Sequence, residues 1–430
     1  MSPPDPHRAF QVLLHRPEVR ALLAAAGPTP CHLVGGALRD LVLGLPFHDV
    51  DAVVAGRGGE IAGLLAASLP ARLVLLGGKE FAAFRLVGAE LVLDLWDRGE
   101  ASLAADLARR DFTVNSIAWE PGSGAITDPH GGLTDLTRRV LRATTPESFA
   151  GDPLRVLRLP RLAVQLPGFA AEPATLGLAR RTAGRLSEVA AERVRDELTI
   201  LLGQPEAHRG IALLAALDLY PGLWLGRPGE PGSPAAAAGA VREMEALPGC
   251  RQWLREAADD LAVTWTADER TARLAILCAN LAAGGSDPAS ALTRSRDAGY
   301  LTRAAATDVA RLLAEPDLPG DEAGRRRFLH RLGSLWATAA CFLGAQAVAQ
   351  GREVAWRRAL ADLVALAAGE GPALFEPPRL LTGEDVQELL AIPPGPEVGK
   401  ALAALEDAQV EGTVRSRDEA VELVKGMKGR

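Results

Sequence analysis

The chain has 430 residues, 48% hydrophobic and 23% charged, with a formal net charge of −7. That length exceeds one hydrophobic core and suggests two to four domains with the composition of a soluble globular protein. The acidic balance weighs against non-specific nucleic-acid binding, although a local basic patch can override it. The opening MSPPDPHRAF lacks an apolar h-region, so no signal peptide is expected. Apolar runs such as Ile211 to Leu217 fall short of a membrane span, and the expectation is a cytoplasmic protein that engages no membrane. Cys31, Cys250, Cys278 and Cys341 are scattered without a CxxC, which reads as reduced core thiols rather than a disulfide framework or zinc site. Lys79, Lys400, Lys425 and Lys428 are the only lysines. Arginine therefore carries nearly all positive charge, which suits bidentate phosphate contacts and is equally explained by codon usage.

In chain order, a helix is expected over roughly Arg8 to Ala26, ending at Gly27-Pro28. The stretch Cys31 to Gly56 then reads as strand, glycine turn, helix and strand. Gly35-Gly36 lets the backbone approach a ligand, and the helix start that follows offers free N–H groups to phosphate. Gly44 closes the helix. Asp49 and Asp51 lie on the strand Asp49 to Val54, and their spacing of two points both to one face. Paired carboxylates can hold divalent cations that clamp an in-line phosphoryl displacement. A surface DxD beside an ordinary Gly-Gly turn is the plainer alternative. Gly35-Gly36, Arg39-Asp40, Gly44 and Asp49-Val50-Asp51 in this order resemble the signature of the class II tRNA nucleotidyltransferases and bacterial poly(A) polymerases. That family lies within the DNA polymerase β-like nucleotidyltransferase superfamily.

Glu60 to Leu69 reads as a helix and Ala71 to Leu76 as a strand. Phe81 to Val87 and Glu90 to Trp96 read as a hairpin around Gly88-Ala89. Asp94 interrupts the apolar strand LVLDLWD, and a charge there needs a partner. The resemblance makes Asp94 the candidate third carboxylate; a solvent-facing edge-strand Asp is the alternative. Arg109-Arg110-Asp111-Phe112-Thr113 with Asn115 resembles the family's RRDFTxNA motif, Ser116 replacing alanine. Arginines can reach triphosphate oxygens, and an Asp and an Asn can engage ribose hydroxyls, the role the family assigns to this motif. The alternative is a solvated helix end. DPHGGLTDL, Asp128 to Leu136, resembles a family segment read here as a link out of the first domain.

Helical periodicity takes over from Arg138. Ser148 to Ala163 resembles the motif EDxxRxLRaxRFa, matching at Asp152, Arg155, Arg158 and Arg161. Asp152 and Arg155 are three apart and are expected on one helix face. There a guanidinium and a carboxylate can template a cytosine edge. Gly151 replaces the usual acid, and Pro160 is expected to kink the helix. The alternative is a surface ion pair. Leu186 to Leu202 resembles SxERIxxEL, with Ala190 at the Ser position, and reads as a buttressing helix carrying Glu192, Arg193 and Glu197. Gly210 to Trp224 reads as helix plus turn, Gly226 to Pro234 as a loop, and Ala236 to Gly371 as mostly helical. In that body Trp253, Trp265, Trp336 and Trp356 read as core, and Arg325-Arg326-Arg327 as a solvated face. Leu380 to Val424 resembles the family's tRNA-gripping tail. There Gly395-Pro396 and Gly399 open a helix whose N-terminus could receive a phosphate.

The resemblance implies an α/β head, a small mixed sheet with helices, over 1–137. An all-α neck (138–225), body (226–375) and tail (376–430) follow. It implies transfer of CMP from CTP to a tRNA 3′ end, with ATP as a second candidate, and release of pyrophosphate. Asp49 and Asp51 would hold Mg²⁺ with Asp94 assisting. Gly35, Gly36, Arg110 and, as a further candidate, Arg39 would contact phosphates; Asp111 and Asn115 the ribose; Asp152, Arg155 and Arg158 the nucleotide. Full CCA-adding members carry a longer segment between the Asp94 strand and RRD than WDRGEASLAADLA, which favours addition of CC alone. The one His-Asp dipeptide, His48-Asp49, lies in the catalytic strand, so no HD metal site is expected. An A-adding enzyme, a poly(A) polymerase, an inactive RNA-binding protein and a nucleotide-sensing regulator remain open. The sequence leaves the oligomeric state undetermined.

Overall fold

The computed structural model describes residues 5–76, 83–88, 92–219, 234–259, 266–281, 288–299 and 301–427. It divides into two compact units, Met1–Glu197 and Leu198–Arg430. The single N-terminal helix expected from periodicity is instead two, α1 (Pro6–Gln11) and α2 (Pro17–Ala26), separated by a 3₁₀ turn, Val12–His15. Pro17 is the reason. It has no N–H to donate, and it holds Arg16 extended at φ −75° and ψ 127°, so the helix restarts.

The first unit continues through β1 (Cys31–Val34), α3 (Gly36–Leu43), β2 (Asp49–Val54), α4 (Gly58–Ser68), β3 (Arg72–Leu76), β4 (Ala83–Val87) and β5 (Val92–Asp97). Next come α5 (Leu103–Ala108), a 3₁₀ turn at Thr113–Asn115, β6 (Ala118–Trp119), β7 (Ile126–Thr127), α6 (Gly132–Arg138) and β8 (Val140–Leu141). It closes with α7 (Ser148–Gly151), α8 (Arg155–Gln165), β9 (Ala170–Ala171), α9 (Pro173–Thr182) and α10 (Ala191–Leu202), whose last turn belongs to the second unit. Seven strands form one mixed sheet in the order β3-β4-β5-β2-β1-β6-β7; β2 and β5 pair in parallel and the other neighbours antiparallel.

Strand alternation divides the sheet's functions. Val50, Ala52 and Val54 point to one face and are fully buried, as are Ile61 and Leu65 of α4. Asp49, Asp51 and Val53 point to the other. There Leu107 and Leu103 of α5 pack with Val34, Val53 and Ala118. This apolar cover anchors the RRD segment beside the carboxylates, and Leu107→Ala would cost about 2–5 kcal/mol.

The second unit is helical in its described residues. Trp336–Ala349 is its most buried helix, and Pro234–Asp259, Glu269–Leu281 and Glu353–Glu370 surround it. With the preceding helix it forms the stretch Glu322–Ala349, long and apolar enough by composition to cross a membrane, which corrects the expectation that no run reaches that length. Its apolar window is 67% buried within the protein, as suits a core helix. Trp336 and Trp356 are core residues; Trp253 is half-buried against Trp356, with Arg357 over its ring; Trp265 lies outside the described residues. Of Arg325, Arg326 and Arg327, only Arg327 lies on an exposed face as expected. The three pair with Asp362, with Glu322 and Glu370, and with Glu411, and Arg326 is buried. The C-terminal helices Gly383–Leu390, Pro396–Val410 and Arg417–Lys425 share a core of Leu381, Val386, Val398, Leu405 and Val424. Reciprocal capping boxes at Thr382/Asp385 and Ser416/Glu419 start the first and third. All four cysteines are buried and unpaired.

Candidate active site

Sheet register assembles the carboxylates. Asp51 lies directly opposite Asp94 across the parallel β2–β5 pair, and Asp94 lies opposite Arg85 across β4–β5. Opposed residues share a face, so Arg85, Asp94 and Asp51 form a row across three strands, with Asp49 two residues along. β5 is an inner strand and Asp94 is buried, which removes the solvent-facing alternative. Arg85 holds both Asp94 oxygens, Nε–Oδ1 at 2.8 Å and Nη2–Oδ2 at 2.6 Å. Burial pushes the Asp51 carboxyl up to about 6; Arg110 pulls against this, and Asp94 and Asp49 add to it. A crowded set of hard oxygen donors of this kind fits a hard dication. Among the described residues no group of three or more His, Cys, Asp or Glu stands ready to hold a metal. Asp94 is committed to Arg85.

Gly35 is required by geometry. Its φ is +81°, and an added Cβ would lie 2.5 Å from Asp51 Oδ2 and 3.1 Å from Arg110 Nη1. The β1–α3 turn thus carries Asp51 and Arg110 on its surface. Gly36 begins α3, and its Cβ would meet Arg39 at an ordinary 3.5 Å.

Arg39 does not stand free for phosphate. Its guanidinium grips Asp40 through Nε at 2.8 Å and Nη2 at 2.9 Å, and donates from Nη1 to Asn115 Oδ1 at 2.7 Å. Asn115 in turn donates to Asp111 Oδ1 at 3.0 Å, which also accepts from the Phe112 N–H at 2.8 Å. Arg158 Nη2 lies 3.1 Å from Asp111 Oδ2. Burial alone would raise the Asp111 carboxyl, but Arg158, these hydrogen bonds and Arg155 together hold it below the usual carboxylate range. Asp111 and Asn115 are therefore fixed in orientation by the 3₁₀ turn and by two arginines.

The neck motif is built differently from the expected single helix. α7 ends at Gly151, Asp152 is extended at φ −147° and ψ 100°, and α8 starts at Arg155. Pro153 enforces the break, so Asp152 and Arg155 do not share a helix face. Asp152 accepts from Arg193 at 2.9 Å and from the Leu154 N–H at 3.2 Å. Arg155 donates to the carbonyls of Ser148 at 2.8 Å and Arg109 at 2.6 Å, fastening α8 to the RRD segment. Pro160 does not end the helix, which runs on to Gln165. Glu197 on α10 lies 2.7 Å from Arg161 Nε and 3.9 Å from Arg158 Nε, a buttress of charge pairs; Glu192 is exposed. Buried atoms without a hydrogen-bond partner concentrate here: Asp111 Oδ2, the Nε atoms of Arg110, Arg155, Arg158 and Arg161, and Glu197 Oε2. The Asp111–Arg158 and Arg161–Glu197 pairs are close but poorly aligned as hydrogen bonds, which leaves polar capacity for a ligand.

Sequence reasoning missed Arg85. A hairpin centred on Gly88-Ala89 would have placed Arg85 opposite Val92, whereas pairing Val87 with Val92 puts it opposite Asp94. It also missed Asp97, which accepts from the N–H groups of Gly56, Gly58 and Gly99 at 2.8, 2.8 and 2.9 Å and pins the turn after β2.

Residues 31–142 match the poly A polymerase head domain family, and residues 168–224 match a family described as the probable RNA and SrmB-binding site of polymerase A. The chain is 34% identical to the CC-adding tRNA nucleotidyltransferase of Geobacter sulfurreducens, covering 94% of this chain and 93% of the relative. It is likewise 34% identical to the A-adding tRNA nucleotidyltransferase of Deinococcus radiodurans, covering 93% and 95%. The crystal structure of the Bacillus stearothermophilus CCA-adding enzyme in complex with CTP superposes with a TM-score of 0.65 at 26% identity, covering 96% of this chain and 98% of that one. With the glycine turn, the carboxylate row and the RRD turn in place, the chain belongs to the family of class II tRNA nucleotidyltransferases and bacterial poly(A) polymerases.

Proposed function

We propose that this enzyme adds CC to the 3′ end of tRNA in the cytoplasm, from CTP and without a nucleic-acid template. The 3′-hydroxyl oxygen attacks the α-phosphorus of CTP, the bond to the β-phosphate breaks, and pyrophosphate leaves. Asp49 and Asp51, with Asp94, are the residues that would hold Mg²⁺, which when bound acidifies the hydroxyl and steadies the triphosphate. Gly35, Gly36 and Arg110 face the phosphates. Asp111 and Asn115, held by Arg39 and Arg158, face the ribose. Asp152 and Arg155 read the base, Arg155 with the Nε–H that neither backbone carbonyl takes.

The observation that carries the CC reading is the connection from β5 to α5. Only residues 98–102 separate Asp97 from Leu103, and they are tied down. Ala101 N–H donates to Arg98 O at 3.1 Å, Gly99 N–H to Asp97, and Ser102 caps α5. A short, bonded connection supports a pocket held for one base pattern, and such a site would reject ATP because its polar groups would be left unpaired. The equal identity to an A-adding relative keeps A addition as the second reading.

The test uses transcripts of one tRNA ending at the discriminator base, at C and at CC, with labelled CTP or ATP. Growth that stops after two cytidines, with the CC transcript refusing ATP, is expected. A single A on the CC transcript overturns the reading, in favour of CCA addition if cytidines are also added and A addition if they are not. Long A-tails without CTP point to a poly(A) polymerase. An unchanged rate in Asp49→Ala plus Asp51→Ala would sink the metal mechanism.

A further inference from the structure

Arg85 is the one member of the carboxylate row that is a cation. It comes from β4, its side chain is 43% exposed, and both of its terminal contacts go to a carboxylate that is 9% exposed. The register sets Arg85 two strands from Asp51, about 10 Å between Cα atoms. Asp94, Asp49 and Asp51 all act on the guanidinium, Asp94 most strongly. A bidentate guanidinium occupies one acceptor site on each carboxylate oxygen and places a fixed positive charge beside any dication bound to the same oxygens. Three acids and one arginine therefore describe a site in which a cation is already present.

We propose that Arg85 is a positioning residue that holds Asp94 away from the metal pair until a nucleotide arrives. The incoming triphosphate brings several negative charges to this face and offers oxygens in the planar spacing a guanidinium prefers. Arg85 transfers from Asp94 to the phosphates, and Asp94 then joins Asp49 and Asp51 around the dication. Metal loading and nucleotide binding become coupled, because each removes an obstacle to the other. The enzyme without nucleotide holds its cation weakly. No covalent bond or proton changes hands in the exchange.

This inference rests on the metal pair proposed above. It is tested by titrating Mn²⁺ into the full-length enzyme without nucleotide, followed by electron paramagnetic resonance. Arg85→Gln is expected to tighten Mn²⁺ binding roughly tenfold by removing the competing charge and freeing Asp94. In an Asp94→Asn background the same substitution should tighten it by about threefold at most, because only the competing charge is then removed and no carboxylate is freed. In metal-free buffer, Arg85→Gln should weaken CTP binding. Arg85→Lys, which keeps the charge but not the two-oxygen grip, should fall between wild type and Gln, and it carries the test if Gln does not fold. Unchanged or weaker Mn²⁺ binding on loss of Arg85 overturns the inference while leaving the metal pair standing. Mn²⁺ binding that survives Asp49→Asn plus Asp51→Asn overturns both.

Discussion

Gly35→Ala offers a sharp check on the geometry of the carboxylate site. The added methyl would sit 2.5 Å from Asp51 Oδ2 on a backbone at φ +81°. Side-chain carbons in folded proteins do not come within about 3.0 Å, so Asp51 has to retreat by at least roughly 0.5 Å. At φ +81° and ψ −142° the backbone lies in a region essentially reserved for glycine, which adds about 1–3 kcal/mol of strain. Misplacing a reacting group by about 1 Å can cost ~10²-fold, so a 10- to 100-fold fall in kcat/KM for CMP incorporation is expected. The unfolding midpoint should drop by about 2–4 °C per kcal/mol of that strain for a unit of this size. The paired control is Gly36→Ala. Its Cβ meets Arg39 at 3.5 Å, an ordinary contact at a helix start, so its unfolding midpoint should stay within about 1 °C of wild type or rise. Steady-state CMP incorporation and thermal unfolding read both variants. Gly35→Ala with activity within twofold of wild type would refute the placement of Asp51 against this turn.

Arg39→Lys keeps a charge but loses the three-way grip on Asp40 and Asn115, so Asn115 loses its orientation. The ratio of kcat/KM for CTP over dCTP should fall about tenfold; an unchanged ratio would separate Asn115 from ribose recognition. Arg158→Leu strands the Asp111 carboxylate. It should cost about 2–3 kcal/mol at pH 7, short of the ~3–5 for a fully buried pair because Arg158 is 34% exposed. Asp111 is held below its unfolded pKa in the wild type, so its contribution is present at neutral pH and lost on acidification. The stability gap between wild type and variant should therefore shrink as pH falls through the ordinary carboxylate range, as denaturant midpoints would show. Asp51 has the opposite sign. With a pKa near 6, above its unfolded value, its ionised form is disfavoured in the native state at pH 7 and relieved as pH falls through 6. A dication must displace that proton, so Mn²⁺ affinity should drop about tenfold per pH unit below 6. A flat titration from pH 5 to 8 would contradict the burial of Asp51.

Much of the site was legible in local sequence because its chemistry is carried by short contiguous segments. The glycine turn needs a residue that tolerates φ +81°, and Gly35 announces it. Two acids spaced by two on an apolar strand must share a face, and Asp49 and Asp51 do. Leu103 to Asn115 declares its anchor, its turn and its polar residues in one run. Prolines at 17 and 153 could have marked the two helix breaks, since each constrains the residue before it, yet apolar periodicity ran across both. What local sequence could not supply is pairing. Strand register alone decides that Asp94 faces Asp51, and that Arg85 rather than Val87 or Phe84 meets Asp94. Nor does any local rule tell Arg39 to spend its guanidinium on Asp40 and Asn115, 76 residues away, or Glu197 to gather Arg158 and Arg161. An arginine's residue type fixes that it needs acceptors. Which acceptors it finds depends on chain segments distant in sequence, and only their packing into one sheet and its flanking helices settles that choice.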